Sequence, residues 1–328
     1  MCQRREQRRG GVPSERVSTV APDDRQDNNA DRYWACDDAW GYRVRRRRDF
    51  PLAEVFSVAE RHRRGLQNGP VAGCEVRERS ERSAVTICDS DAGPFFGDDD
   101  GAGMPNHAPG GVCVKSFWSI PWKERVKDAF RPVGRATHAW HTLRRFQRLG
   151  IPSARPLAVL ERHNPFGDIA DFLVMENLAG TRNLYEFVTG AVSKETLARV
   201  GRAVARLIDL LCEKKIYHPD LKPENFLVRV DDGRINVWVI DMARVKFHSR
   251  SNEKRWVRYL AQLNSGLPDD VSLLDRMRFL RECGAGRWDD AERELIARRV
   301  LEKSFERDIQ WTYRGAPGQR GAGWTTGN

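Results

Sequence analysis

The sequence predicts an α+β fold of two lobes, a small β-rich N-terminal lobe and a compact, mostly helical C-terminal lobe. Three observations predict it. Residues 111–117 and 171–175 are short apolar runs that read as strands in the N-terminal half. Leu197, Val200, Val204, Leu207, Ile208 and Leu211 recur at spacings of three and four, the single apolar stripe of a long helix. Between that helix and the C-terminal segments lies HPDLKPENFLVRVDDGRINVWVID, residues 218–241, a polar loop that leads through apolar strand-like residues into an aspartate.

The spacing within that last segment carries chemistry. Asp220 stands five positions before Asn225, and Asp241 follows Asn225 by sixteen positions, at the end of Val237-Trp238-Val239-Ile240. This is the catalytic-loop and metal-binding arrangement of the protein-kinase superfamily. Phosphoryl transfer needs a carboxylate to orient an acceptor hydroxyl and take its proton, and hard oxygen ligands to hold Mg2+ against the phosphates of ATP. Asp220 suits the first task, with Lys222 beside the transferred phosphate, and Asn225 and Asp241 suit the second. A polar turn that happens to contain Asp and Asn is the competing reading; the strand and Asp241 at their expected places argue against it.

The kinase reading requires a lysine on an upstream strand, and Lys115 meets it within Gly111-Val112-Cys113-Val114-Lys115-Ser116-Phe117. A surface strand lysine explains Lys115 about equally well in isolation, but its position ahead of Asp220 leaves room for one small lobe. Asp171-Phe172-Leu173-Val174-Met175-Glu176-Asn177-Leu178 then looks like a hinge, in which backbone groups of Glu176 and Leu178 would bind the adenine edge. A buried strand ending in a turn fits the same residues. Residues 80–84 occupy the place of a phosphate-covering loop, with Arg82 or backbone amides as candidate phosphate contacts.

These motifs partition the chain into an Arg-rich arm (1–48), expected to be disordered, an N-lobe (49–175) with a flexible acidic and Gly-rich insertion at about 89–111, a C-lobe (176–286), and a tail (287–328) made of a basic helix and a Gly-rich end. The aromatic stretch from Tyr33 to Tyr42 is expected either to pack on the N-lobe or to meet a membrane interface. In the tail, residues 289–310 read as an amphipathic helix with Leu295, Ile296, Val300, Leu301 and Phe305 toward the C-lobe.

A protein kinase of the usual kind does not fit. Pro219 stands where the Arg that clamps a phosphorylated activation loop is usual, no Ala-Pro-Glu follows Asp241, and only 87 residues remain after it. The residues that do follow, Arg255-Trp-Val-Arg-Tyr-Leu-Ala-Gln-Leu-Asn264 and Val271-Ser-Leu-Leu-Asp-Arg-Met-Arg-Phe-Leu-Arg281, resemble the bacterial lipopolysaccharide kinase family. So do Ile240-Asp241-Met-Ala-Arg244-Val-Lys246-Phe and the stretch from Ala139-Trp140 through Leu149-Gly150-Ile151-Pro152-Ser153 to Pro156-Leu157-Ala158. The resemblance covers about residues 70–285. It implies an ATP- and Mg2+-dependent kinase acting on a heptose or Kdo hydroxyl of the lipopolysaccharide core. The family's helix C often carries a Glu that pairs with the strand lysine, whereas the matching residues around Ala139-Trp140-His141 hold none, so the partner of Lys115 is left open. The alternatives are an atypical protein or small-molecule kinase and a nucleotide-binding pseudokinase; intact Lys115, Asp220, Asn225 and Asp241 weigh against the last.

Composition bounds the rest. The net charge of +10 suits an anionic glycolipid partner and leaves peripheral contact with the inner membrane open. No helix-turn-helix, zinc-finger or RNA-binding signature accompanies it, so no nucleic acid is expected. No apolar leader and no spanning run is present, which implies a cytoplasmic enzyme reaching a lipid substrate from the cytoplasmic face. Seven scattered Cys without a CxxC indicate neither a zinc site nor a disulfide framework, and reduced thiols fit a cytoplasm. His218 reads as a brace for its loop rather than a metal ligand.

Overall fold

The computed structural model describes residues 34–39, 41–80, 83–90, 111–118, 134–162, 171–249, 253–268, 271–284 and 288–305. Residues 1–33, Trp40, Arg82, positions 91–110 of the insertion and the Gly-rich end lie outside them.

The N-lobe is one antiparallel sheet of seven strands: β1 (Trp34–Ala39), β2 (Tyr42–Arg47), β3 (Cys74–Arg79), β4 (Ser83–Cys88), β5 (Val112–Phe117), β6 (Pro156–Arg162) and β7 (Asp171–Glu176), in the order β1-β2-β6-β7-β5-β4-β3. Two helices cover its faces, α1 (Leu52–Asn68) and α2 (Arg135–Arg148). The strand period of two decides which residues meet which helix. Val112, Val114, Ala158, Leu160, Phe172 and Val174 join Val55, Val58 and Ala59 of α1 in one cluster. Val159 and Leu173, the intervening residues, join Ala139, Trp140, Leu143 and Phe146 of α2 and the interior of the C-lobe in another. Lys115 is out of phase with Val112 and Val114, so β5 presents it on the face that looks toward the C-lobe.

The hairpin β1–β2 corrects the expected arm. Residues 34–39 and 42–47 are paired strands, and β2 continues onto β6 with Arg45 opposite Val159. Trp34 meets Trp140 edge-on at 5.0 Å, and the Arg144 guanidinium lies 4.7 Å from both rings. The basic residues that made the segment look solvated have acidic partners: Arg45 with Glu161 at 3.1 Å, Arg46 with Asp37 at 3.0 Å and Arg47 with Asp49 at 2.7 Å. Of the two fates open to the aromatic stretch, Trp34 takes packing on the N-lobe.

A second correction concerns the thiols. Cys74 and Cys88 stand opposite each other at the ends of β3 and β4, with Cα atoms 4.2 Å apart, and are joined as a disulfide. Their spacing in sequence matches no motif; the hairpin register alone brings them together.

His62 of α1 is fully buried between two hydroxyls, Nδ1 at 2.6 Å from Thr86 Oγ1 and Nε2 at 2.8 Å from Ser116 Oγ. Burial pushes its pKa down to about 4. The unfolded chain therefore takes up a proton that the folded chain refuses once pH falls below about 6.5. Stability is unaffected above that value and is lost progressively from about pH 6.5 toward about 4, by roughly 3 kcal/mol in all. Glu176, raised to about 7 by burial, acts in the opposite sense over part of that window, so the test is a comparison. Urea midpoints followed from pH 7 to 5 should fall more steeply in the parent than in His62→Gln, and equal slopes would contradict the assignment.

The C-lobe begins with β8 (Arg182–Asn183) and α3 (Leu184–Thr189), whose Asn183 and Glu186 form a reciprocal capping box. Helix α4 (Lys194–Glu213) is capped by Ser193, which accepts from Thr196 N, and buries the predicted stripe at Val200, Val204, Leu207, Ile208 and Leu211. The strands β9 (Ile216–Tyr217), β10 (Phe226–Asp231), β11 (Arg234–Val239) and β12 (Lys246–Phe247) follow, then α5 (Glu253–Gly266), α6 (Leu273–Glu282) and α7 (Asp290–Phe305). Asp232 and Gly233, both at positive φ, make the tight turn between β10 and β11. The tail helix α7 docks on α5 through Ile296 and Val300, while Leu295, expected on the inner side, is 46% exposed. No described helix is long and apolar enough to cross a membrane.

Candidate active site

The polar loop between β9 and β10 is shaped by its prolines and braced on both sides. Pro223 opens a 3-10 turn, Pro223–Asn225, that delivers Asn225 to the start of β10. Asn225 Nδ2 donates to Asp220 O at 2.7 Å and to Asp220 Oδ2 at 3.3 Å. The residues separated by five positions in sequence thus hold each other directly. Their side chains differ in exposure: Asn225 is buried, whereas the Asp220 carboxylate is 44% exposed. Lys222 Nζ lies 3.9 Å from Asp220 Oδ2 and is itself 47% exposed, a pair too wet to add measurable stability and well placed to meet a ligand.

The second half of the site comes from β11. Ile240 N donates to Asn225 O at 3.0 Å, which sets the end of this strand beside the loop. Asp241 then takes a left-handed conformation, φ 65° and ψ 66°, a region that Asp tolerates better than most residues. Its Oδ1 accepts from Lys115 Nζ at 2.7 Å. Burial pushes the Asp241 carboxyl up, but the charge and hydrogen bond of Lys115, with Lys222 adding to them, outweigh it and hold the group below its usual range. Asp241 is therefore ionised at neutral pH.

Lys115 has no acidic partner on α2, whose sequence RATHAWHTLRRFQR contains no Asp or Glu. The group left open by the sequence is Asp241: one carboxylate pairs the lysine and stays 37% exposed. The described part of α2 instead contacts the Asp241 region through His138, whose Nε2 is 2.8 Å from Val245 O.

His218 joins the two halves. Its Nε2 donates to Ile240 O at 2.9 Å and its Nδ1 accepts from Asp220 N at 3.3 Å. That pattern needs the neutral ring, and burial, the dominant influence, lowers the His218 pKa accordingly. It is a loop brace, as its lack of metal-ligand spacing suggested.

At the hinge, Glu176 N donates to Arg155 O at 2.9 Å, and Arg155 N returns a bond to Glu176 Oε1 at 3.0 Å. The carboxyl is pushed up to about 7 chiefly by burial; the Arg155 guanidinium, 3.9 Å away, does not offset it. The Glu176 side chain is thus buried against Arg155. Leu178 packs its side chain with Ala154 and Trp238, and its carbonyl accepts from Thr181 Oγ1 at 2.7 Å. Cys113 lies on the Lys115 face of β5; burial pushes its thiol up to about 12, so it remains protonated.

Two residues of the site were not named from sequence. Tyr259 and Gln262 project from α5 onto the catalytic loop. Both fall within Arg255–Asn264, and the signal available was two polar residues one helical turn apart among buried apolar neighbours.

Comparison with known proteins gives the family. The model of the lipopolysaccharide kinase (Kdo/WaaP) family matches residues 111–281, from the strand of Lys115 to α6. The lipopolysaccharide core heptose(I) kinase WaaP of Pseudomonas aeruginosa is 30% identical over 190 residues, spanning 52% of this chain and 68% of that protein. A 3-deoxy-D-manno-octulosonic acid kinase of Mannheimia succiniciproducens is 24% identical over 126 residues, 38% of this chain and 51% of that one. A solved structure of WaaP in complex with acyl carrier protein aligns at 20% identity and a TM-score of 0.47, covering 73% of this chain and 95% of that one. With more than half of its length matched by the family model, the chain belongs to the lipopolysaccharide kinase (Kdo/WaaP) family.

Proposed function

We propose that the cleft transfers the γ-phosphate of ATP to a heptose or Kdo hydroxyl of the lipopolysaccharide core, with Asp220 as the group that orients the acceptor and takes its proton. Phosphotransfer to a core sugar is the activity of the family to which the chain belongs; the assignment of roles is ours. The observation that carries it is the convergence of the pairs Lys115–Asp241 and Asp220–Asn225 on one His218 bridge. Asp220 is the most exposed of the three acidic and amide groups and so can reach an acceptor.

The residues present suit the implied cofactors. Asn225 spends its Nδ2 on Asp220, which leaves its amide oxygen to join the ionised Asp241 as a pair of hard oxygen donors. Among the described residues no cluster of three or more His, Cys, Asp or Glu could form a full protein cage. A pair of oxygens is what Mg2+ uses when water and nucleotide phosphates complete its shell. Mg-ATP supplies the electrophilic phosphoryl group and neutralises its charge. Lys115 steadies the phosphates, Lys222 stands beside the acceptor carboxylate, and backbone groups of Glu176 and Leu178 take the adenine edge. The partner in this reading is an anionic glycolipid, which the net charge of +10 suits, with the enzyme working from the cytoplasmic face of the inner membrane.

The test is transfer of labelled γ-phosphate from Mg-ATP to purified, dephosphorylated core lipopolysaccharide. Label in the glycolipid is the expected result, and mapping it names the sugar. Label in a generic protein but not in the core would instead favour an atypical protein kinase, and nucleotide binding without transfer to either would favour a pseudokinase.

A further inference from the structure

The catalytic loop is held from α5 as well as by its own Asn225 and His218 bonds. Three positions on one stripe of that helix, spaced at three and four, meet successive parts of the loop. Tyr259 OH accepts from His218 N at 2.9 Å and donates to Ile216 O. Gln262 Nε2 donates to Pro219 O at 2.6 Å, and its Oε1 accepts from Leu221 N at 3.1 Å. Gly266 lies against Pro223 so closely that a Cβ there would fall 2.4 Å from the ring.

From this we infer that Gln262 is a positioning residue for Asp220: a single side-chain amide that fixes the backbone on both sides of the catalytic carboxylate. The inference rests on Asp220 being the base. Pro219 and Leu221 flank that residue, and each offers the one backbone group that Gln262 completes. Pro219 has no N–H, so its carbonyl is its only backbone anchor. Gln262 is 5% exposed, so water is not at hand to replace it, and its amide is matched to the task because it both donates and accepts. Neither a carboxylate nor an aliphatic side chain of that size can do both. Asp220 itself is left exposed, and among the described residues its own contacts are with Asn225, His218 and Lys222. Its direction relative to an acceptor hydroxyl is therefore set through its neighbours' backbone, and a shift of about 1 Å in such a group costs roughly 100-fold in rate.

Gln262→Glu tests this, since it keeps size and the acceptor toward Leu221 N but loses the donor toward Pro219 O. The expected result is a kcat for core phosphorylation lower by roughly 10- to 100-fold with the KM for ATP within about twofold of the parent. In an Asp220→Ala background, Gln262→Glu should lower the residual rate no further, because the two act as a unit. Should Gln262→Glu fail to fold, Gln262→Met, which keeps the length without a charge, is read in the same way. A kcat within about twofold of the parent, or an equal loss in the Asp220→Ala background, would overturn the inference. An inactive Asp220→Ala beside an unaffected Gln262→Glu would remove this inference alone; an active Asp220→Ala would remove the assignment of the base as well.

Discussion

Asp220→Ala is expected to lower phosphoryl transfer to the core sugar by roughly 10²- to 10⁴-fold, the usual worth of a positioned general base, while ATP binding stays close to that of the parent. The separation follows from geometry. In the proposed roles the nucleotide is held by Lys115, Asp241 and the hinge backbone, and among the described contacts none of these bonds to the Asp220 carboxylate. The loop should also survive, because Asn225 keeps its 2.7 Å bond to the Asp220 carbonyl and loses only the longer one to Oδ2. His218 and Gln262 hold the surrounding backbone, which the substitution does not touch. With the side chain 44% exposed, stability should move by no more than about 0.5 kcal/mol. Labelled transfer together with calorimetric titration of Mg-ATP checks both halves. A parent-like rate would sink the assignment of the base, and loss of nucleotide binding would show that Asp220 serves the phosphates instead.

Asp241→Asn should cost the reaction at least as much, by a different route. Asn is also at ease in the left-handed region, so the backbone at φ 65° is retained. What disappears is a full charge. Lys115, 14% exposed and 2.7 Å from Oδ1, is left without it, and the proposed cation site loses the carboxylate of Asp241. Metal ions supply several kcal/mol of charge stabilisation in phosphoryl transfer, and each 1.36 kcal/mol is tenfold in rate, so a loss of roughly 10³-fold is expected. The Mg2+ concentration giving half-maximal rate should rise together with the fall in kcat. Lys115→Met should act on the same unit, so the double variant should be little worse than Asp241→Asn alone. Independent, multiplying losses would separate the lysine from the aspartate, and an unchanged Mg2+ dependence would place the metal elsewhere.

This arrangement differs from a kinase whose lysine is paired by a mobile helix. Here α2 carries no acid, and it is pinned by Trp140 against Trp34 and by the Arg144 guanidinium between them. The lysine takes its orientation from the carboxylate at the end of β11. Under the proposed roles, Asp241 would serve both Lys115 and the metal of the nucleotide.

Taken alone, the amino-acid sequence determined the two-lobed α+β class, the long helix α4, and the candidates Lys115, Asp220, Asn225 and Asp241. Those are legible because they are local. A buried face imposes a period of two or 3.6 on its own strand or helix, and Asp220 and Asn225 lie within one loop whose spacing is set by the contact they make. Tertiary structure alone decided the partner of Lys115, which lies 126 positions away, and the bracing of the loop by Tyr259 and Gln262 from about forty positions on. It also decided that residues 34–39 and 42–47, at the end of the Arg-rich segment, are the outer hairpin of the sheet, and that Cys74 meets Cys88. The physical reason is the same in each case. A contact between distant segments depends on where two packed elements place their side chains, and neither segment carries a period or spacing that records the other.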